Sequence, residues 1–505
     1  MNHALLALFP VVPLLSAALT VLMRQTGFDR VFTVGVPLVS AAGGVGLLLL
    51  HRTEPVIAHN VGGFEPGIAI PLVSDTFSAL MITVTSLTTA VTMTYLAATG
   101  EDKYRFVPPL ALMLLAGVNG ALLTGDLFNL FVFIEVMLLP SYALIAVTGT
   151  WRRLGVGRLF VLVSLLTSTL LLMGVAMLYA AAGTVNLAAL AGRAADEPWT
   201  GFGVALVLLA LAIKSGVVPV HTWLPRAYPA TSAGVMALFS ALHTKVALYA
   251  IYRIYATAYG GEAPWWPLLV VAVGLTMVVG AYSTFGERIV RRALAFQMVT
   301  GIGHILLGLA LFTQVGLAAG IFYMVHHIVI MGALLLSSGA VEQTYGTGRY
   351  DRLHGLIRRD PWVAAVVALG LFSLVGLPPS SGFFGKVGLV QATAATGVPW
   401  QQWTFIGLII VASLGSLVAL QRLWVGVFFG PDMETYRPDS ARTGRGERIA
   451  LPPHVRIGNR LLAPGAALLV VSLAMFVGAG VVVPFTVEAA ASLLDPAAYS
   501  QAVLP

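Results

Sequence analysis

Cysteine is absent from this 505-residue chain, which excludes disulfides, thiol catalysis and iron–sulfur or thiolate-metal ligation by its own side chains. Charge is scarce too: charged residues make up 10% of the chain, against about 25% in soluble proteins. Hydrophobic residues fill 58% of it and mean hydropathy is +0.90, so the chain reads as a polytopic membrane protein. Its pI of 9.7 comes from basic residues spread over short loops, a mark of membrane topology, and nucleic acid is not an expected partner. Room for a soluble domain is also lacking. The longest polar stretch, 430–462, carries PDMETYRPDSARTGRGER and reads as a solvated cytoplasmic linker rather than a docking surface. The apolar run from Leu5 to Met23 has no basic residue ahead of it and Arg24 behind it, the reverse of a secretory signal, so it reads as a retained first helix.

What is present is a series of apolar runs, each about 20 residues long, the length that spans a bilayer. Fourteen are expected, near 3–23, 30–50, 73–98, 106–124, 126–148, 157–182, 202–221, 231–258, 265–285, 291–313, 315–343, 361–396, 403–429 and 463–486. If loops after odd-numbered spans share a side, that side carries 21 of the 28 basic residues and the other only Arg52 and Arg193. This asymmetry puts the basic loops in the cytoplasm and both termini outside. Arg253 and Arg422 fall toward helix ends and are expected to snorkel, and Asp75 reads as a helix cap or interface residue.

Lysine occurs four times, and only Lys103 lies in a loop. Lys214, Lys245 and Lys386 sit inside spans, as does Glu135. Such groups are costly at membrane depth and mark ion paths by default. Two spans carry helix breakers beside a lysine: LAIKSGVVPVHTWLP, with Gly216 and Pro219 after Lys214, and GLPPSSGFFGK, with Pro378, Pro379 and Gly382 before Lys386. Broken helices at matching places in two halves point to an inverted-repeat transporter. The expected organisation is therefore N-terminal helices at 1–98, a first five-helix repeat at 106–258, a second at 265–429, the loop 430–462, and a last helix with the C-terminus at 463–505. His304, His326 and His327 lie mid-span, where imidazole could relay protons. GFFGK and GIGHIL fail as phosphate and dinucleotide motifs, and His243 lacks companions for a metal site. No metal or cofactor is expected.

The runs GDLFNLFVFIEVMLLPSYALIA, KSGVVPVHTWLPRAYPATSAGVMALFSALHTKVALYAIYR and GLPPSSGFFGK resemble the proton-translocating antiporter family. That family includes antiporter-like subunits of respiratory complex I, membrane-bound hydrogenases and the large subunits of Mrp-type multisubunit Na+/H+ antiporters. GDLFNLFVFIEV is most similar to the D-type subunit of the Mrp antiporters. The resemblance covers nearly the whole chain. It implies an all-α fold of about fourteen helices and a multi-pass place in a bacterial or archaeal cell membrane. It also implies A-, B-, C-, E-, F- and G-type subunits as partners, with H+ and, indirectly, Na+ as cargo. By the same resemblance Glu135, Lys214, Lys245 and Lys386 would form a proton path, with His326, His327 and His304 as relay stations. Met331 departs from the pattern, since many relatives carry a lysine there. Two alternatives stay open: an M- or N-type subunit of complex I or of a membrane-bound hydrogenase, and an inactive membrane scaffold.

Overall fold

Inside a bilayer a helix satisfies its own backbone polar groups, and the apolar runs of this chain fold accordingly. The computed structural model describes residues 3–23, 26–147, 151–437 and 447–505, and the side chains of 26 and 151–153 lie outside the description. Arg24, Arg442, Arg445 and the segment 438–446 of the polar loop thus lie outside the described residues, as do the side chains of Arg152 and Arg153.

The helices are α1 (Leu8–Met23), α2 (Thr26–Leu50), α3 (Thr76–Thr99), α4 (Val107–Leu123), α5 (Leu127–Ala146), α6 (Trp151–Ala182), α7 (Pro198–Ser215), α8 (Ala233–Tyr259), α9 (Trp266–Ser283), α10 (Val290–Leu311), α11 (Gln314–Tyr345), α12 (Pro361–Val375), α13 (Ser381–Ala394), α14 (Pro399–Phe428), α15 (Asn459–Val477), α16 (Ala479–Leu494) and α17 (Pro496–Val503). Among the described residues twelve helices are long and apolar enough to cross a membrane, and α4 and α12 are shorter apolar helices. Strands are confined to loops: Val56–Asn60 pairs antiparallel with Pro71–Asp75, and Thr435–Tyr436 with Ile449–Ala450.

Each expected span coincides with a helix or a broken pair, and the differences have local causes. The seventh ends at Ser215 rather than 221, because Gly216 takes φ 88° and Pro219 cannot donate to the carbonyl of Ser215. The twelfth divides into α12 and α13 around Gly376 to Ser380. The last does not stop at 486: beyond α15 and Gly478 the chain forms α16, which continues to Leu494. Glu488 interrupts the apolar run in the sequence, but it is exposed, while Thr486, Ala489, Ala490 and Leu493 keep the inner face of α16 buried.

The 32-residue α11 and the enclosed α8 and α10 form the centre, against which α3, α13, α15 and α16 pack. Association within lipid relies on close fit rather than on apolar burial, and small residues allow it. A Cβ at Gly308 of α10 would come 2.7 Å from the Cα of Gly320 in α11.

The loops separate by charge. Arg30 binds Asp102, Arg291 donates to the carbonyls of Pro229 and Thr231, Arg422 to that of Phe285, and Arg359 to that of Val455, so the basic loops gather at one end. At the other end the bridge Asp126↔Asn186, the first strand pair and α17 come together. The described parts of 430–462 do not form a free linker: Met433 and Leu451 are buried and Asp360 accepts from the N–H of Ile457. Nor does Arg253 snorkel. It is 6% exposed and donates to both carboxylate oxygens of Asp75 at 2.7 and 2.6 Å. Asp75 itself caps α3 through the N–H of Ser78, in line with the sequence reading, and accepts from Ser492 of α16.

Candidate functional site: a run of buried ionisable side chains

Two helix breaks organise the interior, and their backbones match closely. Gly216 ends α7 at φ 88°, ψ 38°, and Gly376 ends α12 at φ 89°, ψ 38°. Each glycine N–H bonds back into the last turn, and the next N–H (Val217, Leu377) returns to the carbonyl of Ala212 or Phe372. Only glycine holds this left-handed conformation without a Cβ penalty. Past the glycines the two paths diverge. After the first break the chain runs through short turns to Ala230, pinned by the Trp223 indole N–H on the carbonyl of Ile213 at 3.0 Å and the Val218 N–H on Thr276 Oγ1 at 3.1 Å. After the second it forms α13, capped by Ser380. The two lysines are therefore not equivalent: Lys214 stands before its break, in the last turn of α7, and Lys386 stands beyond its break, in α13.

Glu135 projects from α5 and is half-buried. Its carboxylate accepts a hydrogen bond from Ser168 of α6 and lies within Coulombic reach of Lys214, although no ion pair joins the two. Lys214 is 6% exposed and in turn lies within reach of His243 of α8, whose Nε2 meets Ser141 Oγ at 2.7 Å. Two residues along α8, Lys245 is fully buried and donates to Thr244 Oγ1 at 3.0 Å. His327 of α11 is within reach of Lys245 and of His326 and His304. Lys386 is within reach of His326 and His304, and it donates to the carbonyl of Val375 and to Ser413 Oγ, both at 2.7 Å. The seven residues singled out from the sequence thus fall into two groups within the helix bundle, Glu135 with Lys214 beside His243, and Lys245 with His327, His326, His304 and Lys386.

Several members of these groups escape a reading of the sequence. His243 reads there only as a failed metal ligand, yet it lies within reach of Lys214 and bonds Ser141, on a different face of α8 from Lys245 two residues on. Tyr323 stands amid the three histidines, with ring centroids 5.1 Å from His304, 5.3 Å from His326 and 6.3 Å from His327. Gly301, in the GIGHIL run, makes room for a ring: a Cβ there would lie 2.0 Å from His327 Nε2. Ser168, Ser413 and Ser381 supply hydroxyls that no motif marks. His304 Nδ1 faces the Thr300 carbonyl at 2.9 Å and so carries the donor hydrogen, which leaves Nε2 as an acceptor with no protein partner. Nε2 of His326 also lacks a partner, and Met331 is buried one turn beyond His327. Among the described residues no cluster has the make-up of a metal site.

At the basic end a cavity of about 310 Å³ opens among Tyr95, Glu101, Arg226, Arg291, Glu342 and Arg349. Its wall includes Ser232, the N-cap of α8, so the helix that carries Lys245 starts at this cavity.

Residues 124–415 match the family described as NADH:quinone oxidoreductase/Mrp antiporter, transmembrane. The chain is 32% identical over 501 residues to the D-type subunit of the Na(+)/H(+) antiporter of Bacillus subtilis (strain 168), covering 98% of each. Its structure is similar to a chain of the Mrp complex from Dietzia sp. DQ12-45-1b, with TM-score 0.95, 42% identity and 100% of both chains covered. It is also similar to a chain of the membrane-bound sulfane sulfur reductase, an archaeal respiratory membrane complex, with TM-score 0.84, 26% identity and 99% of both covered.

Proposed function

The chain belongs to the NADH:quinone oxidoreductase/Mrp antiporter transmembrane family, and from that premise we propose that it is the D-type, proton-moving subunit of a multisubunit Na+/H+ antiporter. The observation that carries this reading is the two groups of ionisable side chains, Glu135 with Lys214 and Lys245 through the histidines to Lys386, held by a chain that matches a D-type antiporter subunit along 98% of its length. The work is transport rather than enzymic conversion. The partners are the A-, B-, C-, E-, F- and G-type membrane subunits. The cell membrane holds the chain with its basic loops in the cytoplasm and both termini outside.

In this reading a proton is loaded where Glu135 faces Lys214. Burial disfavours the ammonium and a nearby carboxylate favours it, so a change in their separation loads or unloads the lysine. His243 carries the proton toward Lys245, and His327, His326 and His304 carry it to Lys386. The matched breaks at Gly216 and Gly376 support two inverted five-helix repeats, one of α4 to α8 and one beginning at α9 and including α14.

A second reading, a proton-conducting subunit of a redox complex, rests on the likeness to the sulfane sulfur reductase chain. Purification of the native complex separates the two. Small antiporter subunits and Na+-dependent proton movement in everted vesicles support the antiporter, whereas co-purifying quinone-module or iron–sulfur subunits would overturn it. An assembled complex that moves no protons would leave only a scaffold.

A further inference from the structure

Ser472 is the one polar side chain in the run Leu468 to Met475 of α15, and it is completely buried. A hydroxyl in such a place needs a partner, and here it has two. Its Oγ lies 2.7 Å from Ser381 Oγ in the first turn of α13 and 3.3 Å from Ser373 Oγ near the end of α12. Ser381 Oγ in turn lies 2.8 Å from His326 Nδ1. The hydroxyls from both sides of the second helix break thus meet a hydroxyl from α15, and the string ends on an imidazole.

Hydrogen-bond accounting ties the order of donation along the string to the tautomer of the ring. Each hydroxyl has one hydrogen to donate, and Nδ1 is the only nitrogen of His326 with a protein partner. If Ser472 donates to Ser381 and Ser381 to Nδ1, the ring hydrogen is on Nε2. If the order reverses, Nδ1 donates and Nε2 becomes a bare acceptor. Which nitrogen of a histidine is protonated is set by the bond the other one makes.

We infer that Ser472 is a positioning residue for His326, acting through Ser381 to fix the orientation and tautomer of the ring. The inference rests on the proposed relay role of His326. It extends the working site to α15, beyond the matched residues 124–415. The other ionisable groups around His326 are Lys386 from α13, His304 from α10, and Tyr323 and His327 from α11 itself, with Lys245 of α8 next to His327. At this level α12 and α15 contribute only Ser373 and Ser472.

The test is Na+-dependent proton movement by the whole antiporter complex in everted vesicles, measured against pH at equal assembly. Ser472→Val and Ser472→Thr have the same shape and differ in the hydroxyl. Ser472→Val should move the pH midpoint by about 0.5–1 unit, the size of one lost hydrogen bond, and Ser472→Thr should keep the parental midpoint. In a His326→Gln background the valine change should add nothing. A valine effect of equal size with and without His326 would make Ser472 only a packing residue and overturn the inference. So would equal midpoints for Thr and Val. If a His326/His327 double variant keeps the parental profile, the relay role itself fails and this inference falls with it.

Discussion

The ammonium of Lys386 lies 2.7 Å from the carbonyl oxygen of Val375, whose helical donor four residues on would be Pro379. Proline has no N–H to give, so the break creates an orphan acceptor inside the membrane, and the lysine from the next helix fills it. A neutral amine still has hydrogens for Val375 and for Ser413, so the bonds survive loss of the proton. The place thus suits a group that changes charge without unfolding its surroundings.

Lys386→Arg should therefore fail almost as badly as Lys386→Ala in vesicle antiport assays, with the complex assembled in both. Arginine keeps its proton throughout the working range, so it can bond Val375 but cannot deliver. Full activity in the arginine variant would show that positive charge alone is needed at this position.

Glu135→Ala and Lys214→Ala should each abolish Na+-dependent proton movement. The structure adds a third member to this test. Ser168 donates directly to the Glu135 carboxylate, so Ser168→Ala should leave a partly active complex, having lost one bond to a charged group, roughly 1.5–3 kcal/mol. Normal transport by either assembled alanine variant at 135 or 214 would end the case for coupling.

The sequence was most legible where the bilayer dictates it. Span positions and the broken seventh and twelfth helices follow from apolar run length and helix breakers, and charges too costly to be incidental mark the seven candidate site residues. Less legible was anything decided by distant contact. Arg253 looks like a snorkelling residue on its own helix, and only the fold brings Asp75 from 178 positions away to neutralise it. The hydroxyls of Ser168, Ser381, Ser413 and Ser472 are ordinary serines in apolar runs until neighbouring helices face them. Gly301 acquires meaning only from the ring seated on it.

The Asp75–Arg253 pair predicts a stability effect separate from transport. Burial pushes the Asp75 carboxyl up, but Arg253 and the donors Ser492 and Ser78 outweigh it and hold the group below its ordinary value. Its contribution is therefore complete above the unfolded value, about 3.9, and is lost only as pH falls through the lower folded one. Arg253→Ala should destabilise the purified protein by about 3–5 kcal/mol near neutral pH, because it strands a buried carboxylate. Replacing both partners by Asp75→Asn and Arg253→Met should cost less. A parental melting temperature for Arg253→Ala would refute this account.

At the centre stands Met331, where the family resemblance implies a lysine. His326 and His327 are both fully buried and adjacent, yet they are held differently: His326 is bonded to Ser381, while the His327 ring is seated over Gly301. If they are parallel stations between Lys245 and Lys386, removing both should block transport more than removing either, since one can compensate for the other. Met331→Lys should fit sterically because both side chains are long and unbranched, but it adds a charge that competes for the same proton. The expected result is slower transport or a displaced pH optimum in the Met331→Lys complex. At equal assembly, an unimpaired His326/His327 double variant would take both imidazoles out of the path and leave His304 and water to bridge the two lysines.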